Sequence, residues 1–257
     1  MKAKKRIKII VDWIKTYAEK HHVESLVVGV SGGIDSAVVS TLCAHTGIST
    51  IAVSMPILQS QHTHNLSLKH GEWLNNNFDN VVHYTLDLTP TFKQFETDTL
   101  LFNNELAYAN SRSRLRMMTL YQIAQSKLGI VVGTGNRVED FGVGFFTKYG
   151  DGGVDISPIA DCLKTEVWDM GRELGVLCEI IEAEPTDGLW ADGRTDRDQI
   201  GMDYADLERM MDLDKLSKKK IRQSVSESDQ AKLQQFRQLQ RRNLHKMRPI
   251  PVCRFDK

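Results

Sequence analysis

The sequence predicts an α/β fold: a doubly wound parallel sheet with flanking helices and a helical C-terminal part. Two observations carry that reading. Short apolar runs of strand length alternate with segments of helical periodicity as far as residue 134, the pattern of β-α-β units. The first run, Leu26–Val30, stops at the adjacent glycines Gly32 and Gly33, and a helical pattern starts at once. In such sheets ligands sit outside the carboxyl ends of the strands. Ser31, Pro56, Asp87 and Thr134, all at expected strand exits, should therefore line one crevice.

Residues 4–20 form an amphipathic helix pattern, with Ile7, Ile10, Val11, Ile14 and Ala18 on one face. Residues 25–30 are the first strand, and the next helix runs to about Gly47. Ile51–Pro56 is a second strand, residues 63–76 a helix, and Val81–Leu86 a third strand with Asp87–Pro90 as its exit turn. Phe92–Tyr108 reads as helix, and so do residues 112–128, where Met117, Leu120, Tyr121, Ala124 and Leu128 are the expected buried positions. Ile130–Thr134 is the fourth strand.

Gly142–Gly153 is glycine-rich, a poor helix and a poor strand, and reads as a functional loop that is mobile until substrates bind. Ile156–Ile159 is a short segment, followed by a helix from Lys164 to Leu174. Residues 185–203 read as a mobile surface loop and Tyr204–Leu213 as helix. A capping-box-like start at Ser226 opens a last helix through about Leu244. Lys218-Lys219-Lys220 reads as a solvated helix face.

The stretch Gly29-Val30-Ser31-Gly32-Gly33-Ile34-Asp35-Ser36 is an anion socket. The first N–H groups of a helix lack internal partners and carry the positive end of its dipole, glycines admit a ligand to the backbone, and two serines add hydroxyls. Asp35 inside the socket calls for a divalent cation, since Mg²⁺ is usually held by one or two carboxylates plus phosphate oxygens.

Composition bounds the rest. The 257 residues suit a single domain over 1–257. Charge is balanced, 33 basic against 33 acidic, which gives no basic surface for nucleic acid. No apolar run approaches a membrane span. Cys43, Cys162, Cys178 and Cys253 are scattered, as expected of reduced thiols in a cytoplasm, and His62 and His64 have no metal-ligand spacing.

The string Ser31–Ser36 resembles the pyrophosphate loop of the ATP pyrophosphatases, which adenylate a substrate. Together with Arg114-Leu115-Arg116-Met117, Gly133-Thr134, Gly144–Gly153 and Glu184-Pro185-Thr186, it resembles the bacterial ammonia-dependent NAD⁺ synthetases over nearly the whole chain. That resemblance implies a homodimer with ATP, deamido-NAD⁺ and ammonia as substrates and Mg²⁺ as cofactor. It places ATP on Gly29–Ser36, Thr134, Lys164 and Thr186, and the metal on Asp35 and Glu139, with Asp140 the local alternative. It places deamido-NAD⁺ on Arg114, Lys148, Asp155, His245 and Lys246, with Arg112 and Arg116 as decoys. Lys148 and Asp151 are the candidates for the chemistry, Asp151 as a group that orients ammonia or the closed loop.

Lys164 opens a helix, where a cation needs an anion to offset the dipole; phosphate is the expected one. Relative to the commoner family form, one extra residue lies between Glu139 and Gly144. No glutamine amidohydrolase domain is expected ahead of residue 25. The rival readings are another pyrophosphate-loop enzyme, GMP synthetase-like or tRNA-modifying, and a non-catalytic nucleotide-binding module.

Overall fold

A computed structural model describes residues 1–186, 188–190, 194–217, 220–221 and 224–255. Its sheet has four strands in the order β3-β2-β1-β4, all parallel: β1 (Ser25–Gly29), β2 (Ser49–Ser54), β3 (Val81–Thr85) and β4 (Gly129–Val131). The order reverses between β1 and β4, so the crevice of a doubly wound sheet opens at the exit of β1, where the anion socket lies.

β1 shows why both faces must be covered. Its side chains alternate: Leu26 and Val28 join a core with helices α1 (Ala3–Lys20) and α2 (Ile34–His45), while Val27 points into a second core. That second core is closed by Leu120, Tyr121 and Ala124 of α5 (Glu105–Ser126). α3 (Gln61–Asn77), started by the Ser60 hydroxyl accepting from Thr63 N–H, packs Leu74 against Ala52 and Val81. α4 (Thr89–Asp98) precedes α5, and α6 (Lys164–Glu173) and α7 (Cys178–Glu182) complete the α1 side.

The C-terminal part has its own core. α8 (Asp196–Ile200), α9 (Tyr204–Asp214) and α10 (Glu227–Met247) bury Ile200, Leu207, Met210, Leu233 and Phe236 together with Val138 and Val143. Trp168 touches both this core and the α1 side, so the two are packed together.

Several sequence expectations need correction. Phe92–Tyr108 is not one helix: α4 ends at Asp98, a 3₁₀ turn spans Leu100–Phe102, and Asn104 caps α5 by accepting from Ala107 N–H. The short polar side chains here compete with the helix ladder; Asn104 starts a helix in place of continuing one. Thr89 and Pro90 belong to the first turn of α4 and not to an exit turn, a place where proline's missing N–H costs nothing. Leu128 is exposed and has φ +51°, because α5 stops at Ser126 and the chain turns into β4.

Within 185–203, expected to be loop, Thr195 and Asp198 form a reciprocal cap that starts α8. Residues 187 and 191–193 of that stretch, and Lys218 and Lys219 of the lysine run, lie outside the described residues. No helix among the described residues is long and apolar enough to cross a membrane.

Candidate active site

The socket is built as a loop that braces itself. Gly32 has φ +92°, and a Cβ there would lie 2.4 Å from the Thr63 carbonyl oxygen, so only glycine fits. Ser36, expected as a ligand donor, is buried: its hydroxyl donates to Gly33 O at 2.9 Å and accepts from Ser31 N–H at 3.2 Å. Ser31 is exposed at the mouth. Gly33 is the N-cap residue of α2 and supplies no side-chain cap, which leaves the first helical N–H groups to a ligand.

Three predicted residues from distant positions meet beside this loop. Lys164 Nζ stands 2.6 Å from Asp35 Oδ2 and 2.8 Å from Glu139 Oε1. Lys164 is buried and sits over the Tyr204 ring, 4.6 Å from its centroid. At this helix start the protein's own carboxylate pair offsets the ammonium. Burial works against the ammonium, but the two carboxylates outweigh it and raise its pKa, so it stays charged. Burial likewise opposes charge on Glu139, and Lys164 outweighs it and holds the carboxyl below the usual range.

Two carboxylates already converge on one cation. That is the donor set of a site finished by phosphate oxygens, and it suits Mg²⁺. Among the described residues no group of three or more His, Cys, Asp or Glu side chains is gathered that could hold a metal ion.

Residues the sequence reading missed complete this centre. Asn136 is buried; it donates to Asp35 Oδ1 at 3.0 Å and accepts from the Val138 and Glu139 N–H groups. The Tyr204 hydroxyl lies 2.5 Å from Glu139 and 2.6 Å from Asp196. Asn136 could have been suspected as a cap ahead of Glu139. Tyr204 is a lone aromatic at a helix start and carries no sequence signal.

Arg137–Val143 forms a π-helical turn closed by Gly144 at φ +67°. Gly142 and Val143 belong to this turn, not to the glycine-rich loop that the sequence suggested. A widened turn is how a helix absorbs an extra residue, and such turns gather at functional sites. The turn sends consecutive side chains apart: Glu139 faces Asp35 and Lys164, while a Cβ at Gly135 would lie 2.0 Å from Asp140 Oδ2. Burial first, then Glu139, Asp151 and Asp35, push the Asp140 carboxyl well above its usual range, and Lys246 offsets this only in part.

Residues that the resemblance assigns to deamido-NAD⁺ also come together. Arg114 Nε donates to Lys148 O at 3.3 Å, Lys148 Nζ donates to His245 O at 3.0 Å, and Lys246 Nζ donates to Phe146 O at 2.6 Å. The end of α10 thus lies against the glycine-rich segment, Lys246 through its ammonium and His245 through its carbonyl, while the His245 ring is exposed. Asp151 Oδ1 accepts from Ser113 at 2.7 Å and from Thr147 N–H at 2.9 Å, which ties the segment to α5.

Asp155 is taken up by the fold itself, accepting from Val131 N–H at 2.7 Å and from the Tyr121 hydroxyl at 3.1 Å. Arg116 Nε donates to Met55 O at 2.9 Å, and Arg112 donates to Leu189 O and lies over Phe92. Thr134 follows β4 at its exit. Thr186 donates to Arg194 O at 3.0 Å and accepts from Gly188 N–H, and Gly188 in turn adjoins Gln59, which donates to Ser31 O.

An anion socket at the switch point of a doubly wound sheet, with a carboxylate pair aimed at one cation beside it, defines a nucleotide-binding α/β protein. The family profile described as NAD synthase matches residues 6–250, and the chain belongs to that family. It is 33% identical over 264 aligned positions, covering 99% of this chain and 98% of the relative, to an NH3-dependent NAD⁺ synthetase of Archaeoglobus fulgidus. It is 37% identical over 209 positions to one of Alkaliphilus metalliredigens, covering 77% and 82%. Among solved structures, the NMN synthetase from Francisella tularensis superposes with a TM-score of 0.87 at 32% identity, covering 99% of this chain and all of that one.

Proposed function

We propose that this chain catalyses the ATP-dependent amidation of deamido-NAD⁺ to NAD⁺ with ammonia, through an adenylated carboxylate, releasing AMP and pyrophosphate. One observation carries the reading: Asp35 of the phosphate socket and Glu139 of the π turn meet beside that socket, both bonded to the Lys164 ammonium. A carboxylate is a poor acyl donor until one oxygen becomes a leaving group, and adenylation does this if the β- and γ-phosphates are clamped while the α-phosphate stays open. Residues 29–36 would clamp them. Asp35 and Glu139 would hold Mg²⁺, which supplies positive charge to the phosphoryl oxygens. Lys164, Thr134 and Thr186 would complete the ATP site. Arg114, Lys148, Asp155, His245 and Lys246 would hold the dinucleotide, and Asp151 would orient ammonia or the closed segment.

The reading includes a homodimer working in the cytoplasm. Support for the dimer is the run of exposed apolar side chains at Phe95, Leu100, Leu101, Phe102 and Leu106, with Leu101 95% and Phe102 78% exposed.

One observation favours a second acceptor. The solved structure superposing at TM-score 0.87 over nearly the whole chain is of an NMN synthetase, for which the same amidation chemistry would act on a mononucleotide. The deciding experiment incubates the protein with ATP, Mg²⁺ and ammonium, with deamido-NAD⁺ or nicotinate mononucleotide as acceptor. NAD⁺ formed with stoichiometric AMP is the expected result. Preferred turnover of the mononucleotide would move the assignment to the second reading, and AMP release with neither acceptor would remove both.

A further inference from the structure

Lys164 and a divalent cation compete for the same oxygens. The ammonium is buried, 2.6 Å from Asp35 Oδ2 and 2.8 Å from Glu139 Oε1, and these are the two carboxylates that would hold Mg²⁺. The second oxygen of Asp35 is engaged too, accepting from Asn136 Nδ2 at 3.0 Å, and Glu139 Oε1 also accepts from the Tyr204 hydroxyl. A dication and an ammonium on one carboxylate pair repel each other strongly in so buried a place. Burial raises the pKa of the Asp35 carboxyl and the ammonium lowers it, so the lysine favours the ionised form that a metal requires.

We propose that Lys164 is a resident counter-cation that keeps the carboxylate pair closed to free divalent metal, and that it yields the pair only when the phosphates of a nucleotide are present to receive its ammonium. The inference rests on the nucleotide and metal part of the amidation reading and is independent of the acceptor. Three features support it. The seat that Lys164 occupies is complete without a metal: two carboxylates, and the Tyr204 ring with its centroid 4.6 Å from Nζ. Asp35 lies in the first turn of α2, whose N–H groups Gly33 leaves uncapped, so the ammonium already stands at the wall of the phosphate socket. Lys164 is the first residue of α6 and carries its charge on a flexible four-carbon stem, so the ammonium can swing without moving the helix. Metal affinity is then reduced to the fraction of molecules in which the pair is vacant, and a nucleotide that draws off the ammonium removes that penalty. By linkage the effect is mutual, metal and nucleotide each tightening the other by the same factor.

The test needs no turnover. Mn²⁺ is titrated into the protein with and without an ATP analogue that carries a methylene bridge between the α- and β-phosphates, and free Mn²⁺ is read by electron paramagnetic resonance against the same titration without protein. Wild type should bind Mn²⁺ far more weakly without the analogue than with it. Added phosphate oxygens alone would also give that difference, so the variants decide. Lys164→Met should bind Mn²⁺ without the analogue at least about tenfold more tightly than wild type, because no resident charge has to leave. Lys164→Gln keeps two N–H donors and drops the charge; it should show the same gain, and it keeps the question answerable where the methionine variant misfolds. Lys164→Arg keeps the charge and should stay as weak as wild type. Mg²⁺ without nucleotide should raise the melting temperature of Lys164→Gln more than that of wild type.

Wild-type protein that binds Mn²⁺ equally tightly with and without the analogue overturns the proposal. So does an equal gain in all three variants, which would assign the effect to loosened packing. Wild type that binds no Mn²⁺ even with the analogue removes the metal reading and this inference with it. Wild type that binds Mn²⁺ with the analogue, beside Lys164→Met and Lys164→Gln that gain nothing without it, removes this inference alone.

Discussion

At the scale of single residues, charge placement dominates. Arg114 is exposed and makes one long bond to a carbonyl, so its guanidinium is open to an anionic acceptor. Arg114→Ala should raise the KM for the acceptor about tenfold to a hundredfold and the KM for ATP far less. Equal rises would mean that another arginine holds the acceptor. His70 makes a different kind of statement. It is fully buried, with Nε2 2.9 Å from the Ser40 hydroxyl, and burial pushes its pKa down to about 4. The unfolded side chain titrates near 6.5. Between those values the unfolded chain binds more protons, so the contribution to stability is full above about 6.5 and is lost as pH falls toward about 4. The loss approaches about 3 kcal/mol. Urea unfolding at pH 7.5 and 4.5 should show a smaller pH difference for His70→Gln than for wild type; identical differences would clear His70 of the effect.

At the scale of elements, the segment Gly144–Gly153 is held largely by side-chain bonds to α5 and α10. Thr147 donates to Asn110 at 2.6 Å, Asp151 meets Ser113, and Lys148 reaches His245 O. Ordering each residue costs about 1–2 kcal/mol, and a glycine loses the most freedom of any residue. Backbone amides of residues 148–153 should therefore exchange quickly in the free protein and become protected when ATP and acceptor are both bound. Closure of this kind would keep water from an acyl-adenylate. Equal protection in the two states would show that the segment is no lid. The preceding π turn is an element that periodicity does not reveal, because a single widened turn leaves no repeat to read.

At the scale of the whole molecule, the apolar surface is uneven. Phe95, Leu100, Leu101, Phe102 and Leu106, close together in sequence, are exposed in the single chain, and a homodimer would cover them. The double variant Leu101→Glu, Phe102→Glu should sediment as a monomer where the wild type sediments as a dimer. A wild-type monomer at micromolar concentration would remove the dimer. The sheet is the opposite case: parallel strands with helices on both sides leave β1 almost wholly apolar and place every strand exit on one edge.

The sequence by itself determined the sheet, the socket and the identity of the charged groups. Strand runs and helical periodicity are local, and the glycine-serine-aspartate string is contiguous, so each is legible without a fold. It also marked Lys164 as anomalous at a helix start. What held that lysine was decided only by tertiary structure, because Asp35 and Glu139 reach it across 129 and 25 positions of chain. Tyr204 and Asn136 joined the centre for the same reason: a buried polar group must find partners wherever packing brings them, and no spacing in the sequence records that. The surroundings of Asp140 likewise came from the π turn, which sets two adjacent acids against different neighbours, Glu139 against Lys164 and Asp140 against Gly135, a difference that their positions in the sequence do not show.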